Sequence, residues 1–137
     1  MNDWILLLPS LVFSRIKNGF SQSVIDKYGL TDKHFSTVNK NNTSPTFPFI
    51  FVQNLTSVER GMDLEGKTIN AVMYSFQVDV YDNKSQSRAR EVMGEVMNTA
   101  KNMSFQVLAI PEFEKQDDGT YRCTARFRRM IGSGDAL

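Results

Sequence analysis

The stretch Thr68-Ile69-Asn70-Ala71-Val72-Met73-Tyr74-Ser75-Phe76-Gln77-Val78-Asp79-Val80-Tyr81 decides the fold. Val72, Tyr74, Phe76, Val78 and Val80 fall on one side of an extended chain. Ser75, Gln77 and Asp79 fall on the other, with Met73 and Tyr81 at the ends. Alternation with period two over this length predicts a β-strand, and the β-branched and aromatic content agrees. One dry face and one wetter face suit an antiparallel sheet with a core on one side.

Downstream, Asp82 and Asn83 end the strand. Ala89, Val92, Met93, Val96, Met97, Ala100 and Met103 then form a helical stripe, with Asn83 or Ser85 placed to cap its first N–H groups. Phe105 to Phe113 reads as a strand interrupted late by Pro111, and Asp118-Gly119 as a hairpin turn. Thr120 to Ile131 is the last strand. Tyr121, Cys123, Ala125 and Phe127 share one face, and Arg122, Thr124, Arg126 and Arg128 the other. Residues 132–137 read as a flexible tail.

Upstream, Leu55 to Lys67 carries two glycines and alternating charge and reads as a long projecting turn. Phe47 to Asn54 is a strand, with Pro48 at its start or on an edge because proline has no N–H for a ladder. Asn39 to Thr46 is a loop by composition, and Phe35 to Val38 a short strand. Pro9 to Tyr28 is predicted as one helix from Val12, Ile16, Phe20 and Val24 at four-residue spacing. Pro9 suits its first position, Gly29 its C-terminal cap, and Gly19 is a weak point costing about 1 kcal/mol relative to alanine. The apolar run Trp4-Ile5-Leu6-Leu7-Leu8 lacks a basic flank and falls far short of the roughly 20 residues that span a bilayer. It reads as the start of an amphipathic helix, with soluble intracellular expression expected.

The predicted order is α-β-β-β-α-β-β in one domain covering 1–137. The expected fold is α+β: a mainly antiparallel four- to five-stranded sheet with two helices packed on one face. A chain of 137 residues is long enough to bury such a core. Sixteen basic and fifteen acidic residues leave a net charge of +1, which argues against a dedicated nucleic-acid binder and opposes self-association little. The single cysteine permits no intrachain disulfide.

The residues offer little chemistry. His34 stands alone in a polar turn and reads as a surface residue, since a metal site needs several clustered ligands. Cys123 lies on an apolar strand face and reads as a small buried hydrophobe. Asp63 and Glu65 are a carboxylate pair, but the loop lacks the ligand spacing of a calcium site and the signature of a phosphate loop. Neither enzyme nor cofactor is expected. The same loop sets Met62 and Leu64 between charges and is a candidate contact loop, equally readable as a solvated turn. Arg122, Arg126, Arg128 and Arg129 make a basic stripe, read as meeting acidic neighbours such as Asp79 or a partner rather than nucleic acid. Met62, Met73 and Met130 do not fit the apolar faces and suit an interface.

Three segments together resemble the tail terminator or tail completion proteins of long-tailed phages and prophages. They are Phe47-Pro48-Phe49-Ile50-Phe51-Val52-Gln53, Asp63 through Val72, and Phe76 through Tyr81; the ending Tyr121-Arg122 with Ala125 through Gly132 is similar too. The likeness runs from about Val12 to Gly132. It implies a small α+β subunit forming a ring, usually a hexamer, at the tail–neck junction of a virion assembled in the host cytoplasm. Such a ring ends the tail tube and offers a docking face to the head-side connector. Its partners would be further copies of itself, the tube protein and the connector, with no cofactor, membrane or specific nucleic acid. Another head–tail neck protein is the alternative. The contact residues proposed from the sequence are Arg60, Met62, Asp63, Leu64, Glu65, Lys67, Arg126 and Arg128.

Overall fold

The computed structural model describes residues 3–37, 46–55, 58–60, 70–108, 112–116, 118–135 and 137; at Asp3, Arg60 and Glu112 only the backbone is described. The central strand of the sequence reading forms β4, Ala71–Asp82. It pairs antiparallel along its whole length with the last strand, β7 (Tyr121–Gly132), from Ala71↔Gly132 to Asp82↔Tyr121. On the other flank of β4 lie β2 (Phe49–Asn54) and the shorter β3 (Val58–Arg60), both antiparallel to it. β1 (Phe35–Ser36) adds to β2 in parallel. β5 (Gln106–Val107) and β6 (Glu112–Lys115) both pair with the outer edge of β7.

The fold is therefore α+β, with helices packed on a mixed sheet that has seven strands among the described residues. The strand count exceeds the expected four or five for two local reasons. The predicted turn at 55–67 contains β3, and the predicted strand at 105–113 holds two strands, with Pro111 between them in the sequence. Proline has no N–H to give, so one continuous ladder through that point is disfavoured.

Among the described residues three α-helices cover one face: α1 (Asp3–Asn18), α2 (Gln22–Tyr28) and α3 (Gln86–Asn102). The expected single helix from Pro9 to Tyr28 is thus two helices, and Pro9 lies inside α1 rather than opening it. Leu8 and Val12 are buried on the sheet, and this burial carries the helix back past the proline despite the hydrogen bond lost there. The break comes at Gly19. A Cβ there would collide with the Thr99 side chain of α3 and stand 2.9 Å from the Arg15 carbonyl oxygen, so the α1–α2 corner touches α3 through bare backbone. One turn away on α3, Glu95 Oε1 accepts the Ser21 N–H at 2.6 Å and takes the place of a side-chain cap for α2. Gly29 ends α2 in the left-handed conformation, as its position suggested. Ser85 is the cap of α3, accepting the Arg88 N–H at 3.2 Å.

The core lies between helices and sheet. Phe76, fully buried, stacks on Phe127 and meets Phe105 edge-on, both at 4.9 Å between ring centroids. Val12, Ile16, Val92, Val96 and Ala100 close it from the helix side. The opposite face of β4 is drier than the alternation implied: Gln77 and Asp79 are 8% and 2% exposed, and Phe49 and Phe51 beside them are buried too. The terminal residues depart from expectation as well. Asp135 accepts the Gly132 N–H at 2.8 Å, Ser133 N–H reaches the Asn70 carbonyl at 3.0 Å, and Leu137 packs against the core.

Candidate functional site

The contact residues expected from the sequence fall into three groups. Met62, Asp63, Leu64, Glu65 and Lys67 lie outside the described residues. Arg60 is placed by its backbone, opposite Ala71 at the end of β3. Arg126 and Arg128 stand on the sheet face away from the helices.

That face answers part of the arginine question within the chain itself. Asp79 accepts the Thr124 hydroxyl at 2.6 Å and the Gln77 amide at 3.3 Å, and lies 3.4 Å from the Arg122 guanidinium. Arg126 Nε donates to the Gln77 carbonyl oxygen at 2.8 Å. On the opposite, helix-facing side of β7, Arg129 donates to the Met103 carbonyl at 2.8 Å and faces Asp135. Buried carboxylates need such partners, since an unpaired charge out of water is costly. Arg128 differs: it is exposed and has no hydrogen-bond or ion-pair partner among the described residues.

Arg128 borders a hollow of about 410 Å³ with Met73, Met130 and Gln106. Val58, Met73 and Met130 lie in register across β3, β4 and β7, and Val58 and Met130 are each 46% exposed. Two of the three methionines that did not fit the apolar faces, Met73 and Met130, thus meet at one end of the sheet, and Met62 lies outside the described residues. Around the same end, on the helix side, α1 leaves Leu6 80%, Leu7 57% and Leu11 49% exposed. A groove of about 310 Å³ runs there between α1 and the end of β7. The first turns of α1 are apolar all round, which on a lone helix packed on one side leaves an uncovered stripe. The run Trp4-Ile5-Leu6-Leu7-Leu8 carried that signal, and the sequence reading took it only as a helix start.

The far end of the sheet is polar and largely paired within the chain, with Asp82 Oδ1 and Arg88 Nε buried and without a hydrogen bond among the described residues. Asp82, fully buried, accepts the Lys84 and Ser85 N–H groups at 3.1 and 3.0 Å and lies 3.3 Å from the Arg88 guanidinium. Arg88 in turn lies over the Tyr28 ring, 5.0 Å from its centroid. The Tyr28 hydroxyl donates to Glu91 at 2.7 Å, and Lys27 pairs with the same carboxylate at 3.1 Å; these bonds hold Glu91 below the usual carboxylate range.

His34 is not a surface residue, as its lone place in a polar turn had suggested, but is 5% exposed. Its Nδ1 accepts the Thr31 N–H at 2.9 Å and closes a capping box on the 3-10 turn Asp32–His34. Burial pushes its pKa below the usual 6.5. Cys123 is fully buried, and burial pushes its thiol up to about 12, far from a nucleophile's range. Among the described residues no three His, Cys, Asp or Glu side chains cluster to hold a metal ion. No helix among them is long and apolar enough to cross a membrane.

No family model matches the chain, and no curated protein does. A solved structure from Akkermansia muciniphila, of a protein without its transmembrane region, aligns at 8% identity over 62% of this chain with a TM-score of 0.31. The chain spans about half of that protein's length, 47%, and a likeness this distant carries nothing about fold or function.

Proposed function

We propose that this protein is a structural subunit of a phage tail, a terminator that forms a ring ending the tail tube and presents a docking face to the head connector. The supporting observation is the apolar end of the sheet, where Leu6, Leu7 and Leu11 on one side and Val58 and Met130 on the other stay exposed in a single copy. Apolar surface of this kind marks an interaction site. A net charge of +1 lets many copies sit together, and a ring closes through heterologous contacts of one patch on another. The sequence resemblance points to the same role, and the 61–67 loop and Arg128 are the ring or tube contacts in this reading. Arg128, without a partner among the described residues and beside two methionines, suits an acidic and apolar partner surface.

The test is localisation. Gold-labelled antibody to this chain, viewed by electron microscopy, is expected at the tail–neck junction of particles. Light scattering of the purified protein, alone and with tail tubes, is expected to show a closed oligomer. Label on the head side of the neck would favour a connector role instead. Label elsewhere would end both readings.

A further inference from the structure

We propose that His34 is the latch of a pH-sensitive switch: a proton on its Nδ1 opens residues 31–36 and peels β1 from the edge of the sheet while the β4–β7 core stays folded. A neutral imidazole has one acceptor and one donor nitrogen. Here both are spent on the backbone, in a residue that is 5% exposed. Nδ1 accepts the Thr31 N–H at 2.9 Å, and the Phe47 carbonyl accepts a hydrogen bond from the ring. The ring thus ties the turn after α2 to the chain that enters β2. An imidazolium has two donors and no acceptor. Its added N–H would face the Thr31 N–H, and the capping box on Asp32–His34 would be lost.

The surroundings also disfavour the charge. Arg88 of α3 faces the ring with the same sign. Arg88 is itself held by Asp82 of β4 and by the Tyr28 ring of α2. On the turn, the Asp32 side chain is 86% exposed and pairs outward with Lys17 of α1 at 2.8 Å, and Lys33 is exposed. An exposed pair of that kind holds the turn only weakly. The segment that opens is lightly fixed as well. β1 is two residues, Phe35 and Ser36, paired with Ile50 and Phe51 of β2. Phe35 is half-buried and meets Phe20 edge-on at 5.3 Å. The β4–β7 ladder does not pass through it. A short edge strand with few buried contacts is where local opening takes place. Opening takes up the proton, so the open form gains as pH falls below about 6.5, the value of a free histidine.

The experiment is amide hydrogen exchange of the purified full chain by NMR at a series of pH values from 7.5 to 5.5, each rate divided by the intrinsic rate at that pH. This window lies above the carboxylate range, and His34 is the only histidine, so one imidazole signal reports its protonation. The Thr31 and Phe35 amides are expected to be at least tenfold less protected than those of β4 and β7 throughout. They are expected to lose a further five- to about tenfold between pH 7.5 and 5.5, as uptake of one proton allows. Equal protection in the segment and in β4 would mean that His34 is released only by global unfolding and would overturn the proposal. A segment whose protection is the same at both ends of the series would overturn it too. His34→Gln keeps a capping-box side chain that does not titrate and is expected to remove the pH step; a step that survives this change belongs to another group and sinks the assignment. If that variant does not fold, the unsubstituted chain decides. Its loss of protection is expected to begin near pH 6.5 and to level off where the His34 signal titrates, and a loss that runs on past that point rules His34 out as the latch.

Discussion

At the Asp82–Tyr121 end of the β4–β7 pair, most polar groups find partners inside the chain; at the Ala71–Gly132 end, several apolar groups do not. Asp82, Arg88, Tyr28, Glu91 and Lys27 form one continuous chain of contacts. Leu6, Leu7, Leu11, Val58 and Met130 stay open to water. The same two strands thus carry a sealed end and an unsealed one. A sealed end contributes stability to the single copy. An unsealed one leaves apolar surface to be buried only on association, at roughly 25 cal/mol per Å² before the costs of binding.

The contrast predicts which substitutions unfold the chain and which only disable its contacts. Phe76→Ala, between the two ends, is expected to cost about 4 kcal/mol by opening a cavity under Phe105 and Phe127, and denaturant unfolding should show both ends lost together. Asp82→Ala should cost about 3 kcal/mol, because it strands the mostly buried Arg88 and frees two N–H groups. A loss under 1 kcal/mol would mean that the sealed end is not what it looks like. Gly19→Ala should cost about 2 kcal/mol through overpacking against Thr99, with part recovered in Thr99→Ala.

The next effect depends on pH. His34 is held neutral by burial, with its folded pKa below 6.5. The unfolded chain therefore takes up the proton first. Stability is full above about pH 6.5 and declines as pH falls from there toward the lowered folded value. His34→Asn should flatten this dependence, and thermal unfolding between pH 7 and pH 5 measures it. Smallest of all in stability, Leu7→Ser with Leu11→Ser should change unfolding by about 0.5 kcal/mol or less while abolishing oligomers in light scattering. Intact oligomers would remove the α1 face from the interface.

Much of the sheet was legible because β4 and β7 alternate cleanly, and α3 because its stripe runs unbroken from Ala89 to Met103. The helix break at Gly19 was not, since the Val12-Ile16-Phe20-Val24 spacing continues straight through it; the break depends on Thr99, eighty residues away. β3 was missed because three residues are too few to show a period. Of the contact candidates, Arg128 stands exposed without a partner among the described residues, whereas Arg126 is bonded to Gln77, and nothing in the arginine spacing separates the two. The α1 groove was overlooked because an apolar run at a chain start reads as a buried helix face, and only the packing tells which side stays bare.

By itself, the sequence determined the α+β class, the alternating strands, the main helical stripe and a near-neutral surface. Each of these is a local periodicity or a sum. Only the tertiary structure decided that His34 is buried, that Asp79 absorbs Arg122, that the first helix bends at Gly19, and that one end of the sheet is left apolar. Each of these depends on which residues meet across long stretches of chain, and spacing along the sequence does not specify such meetings.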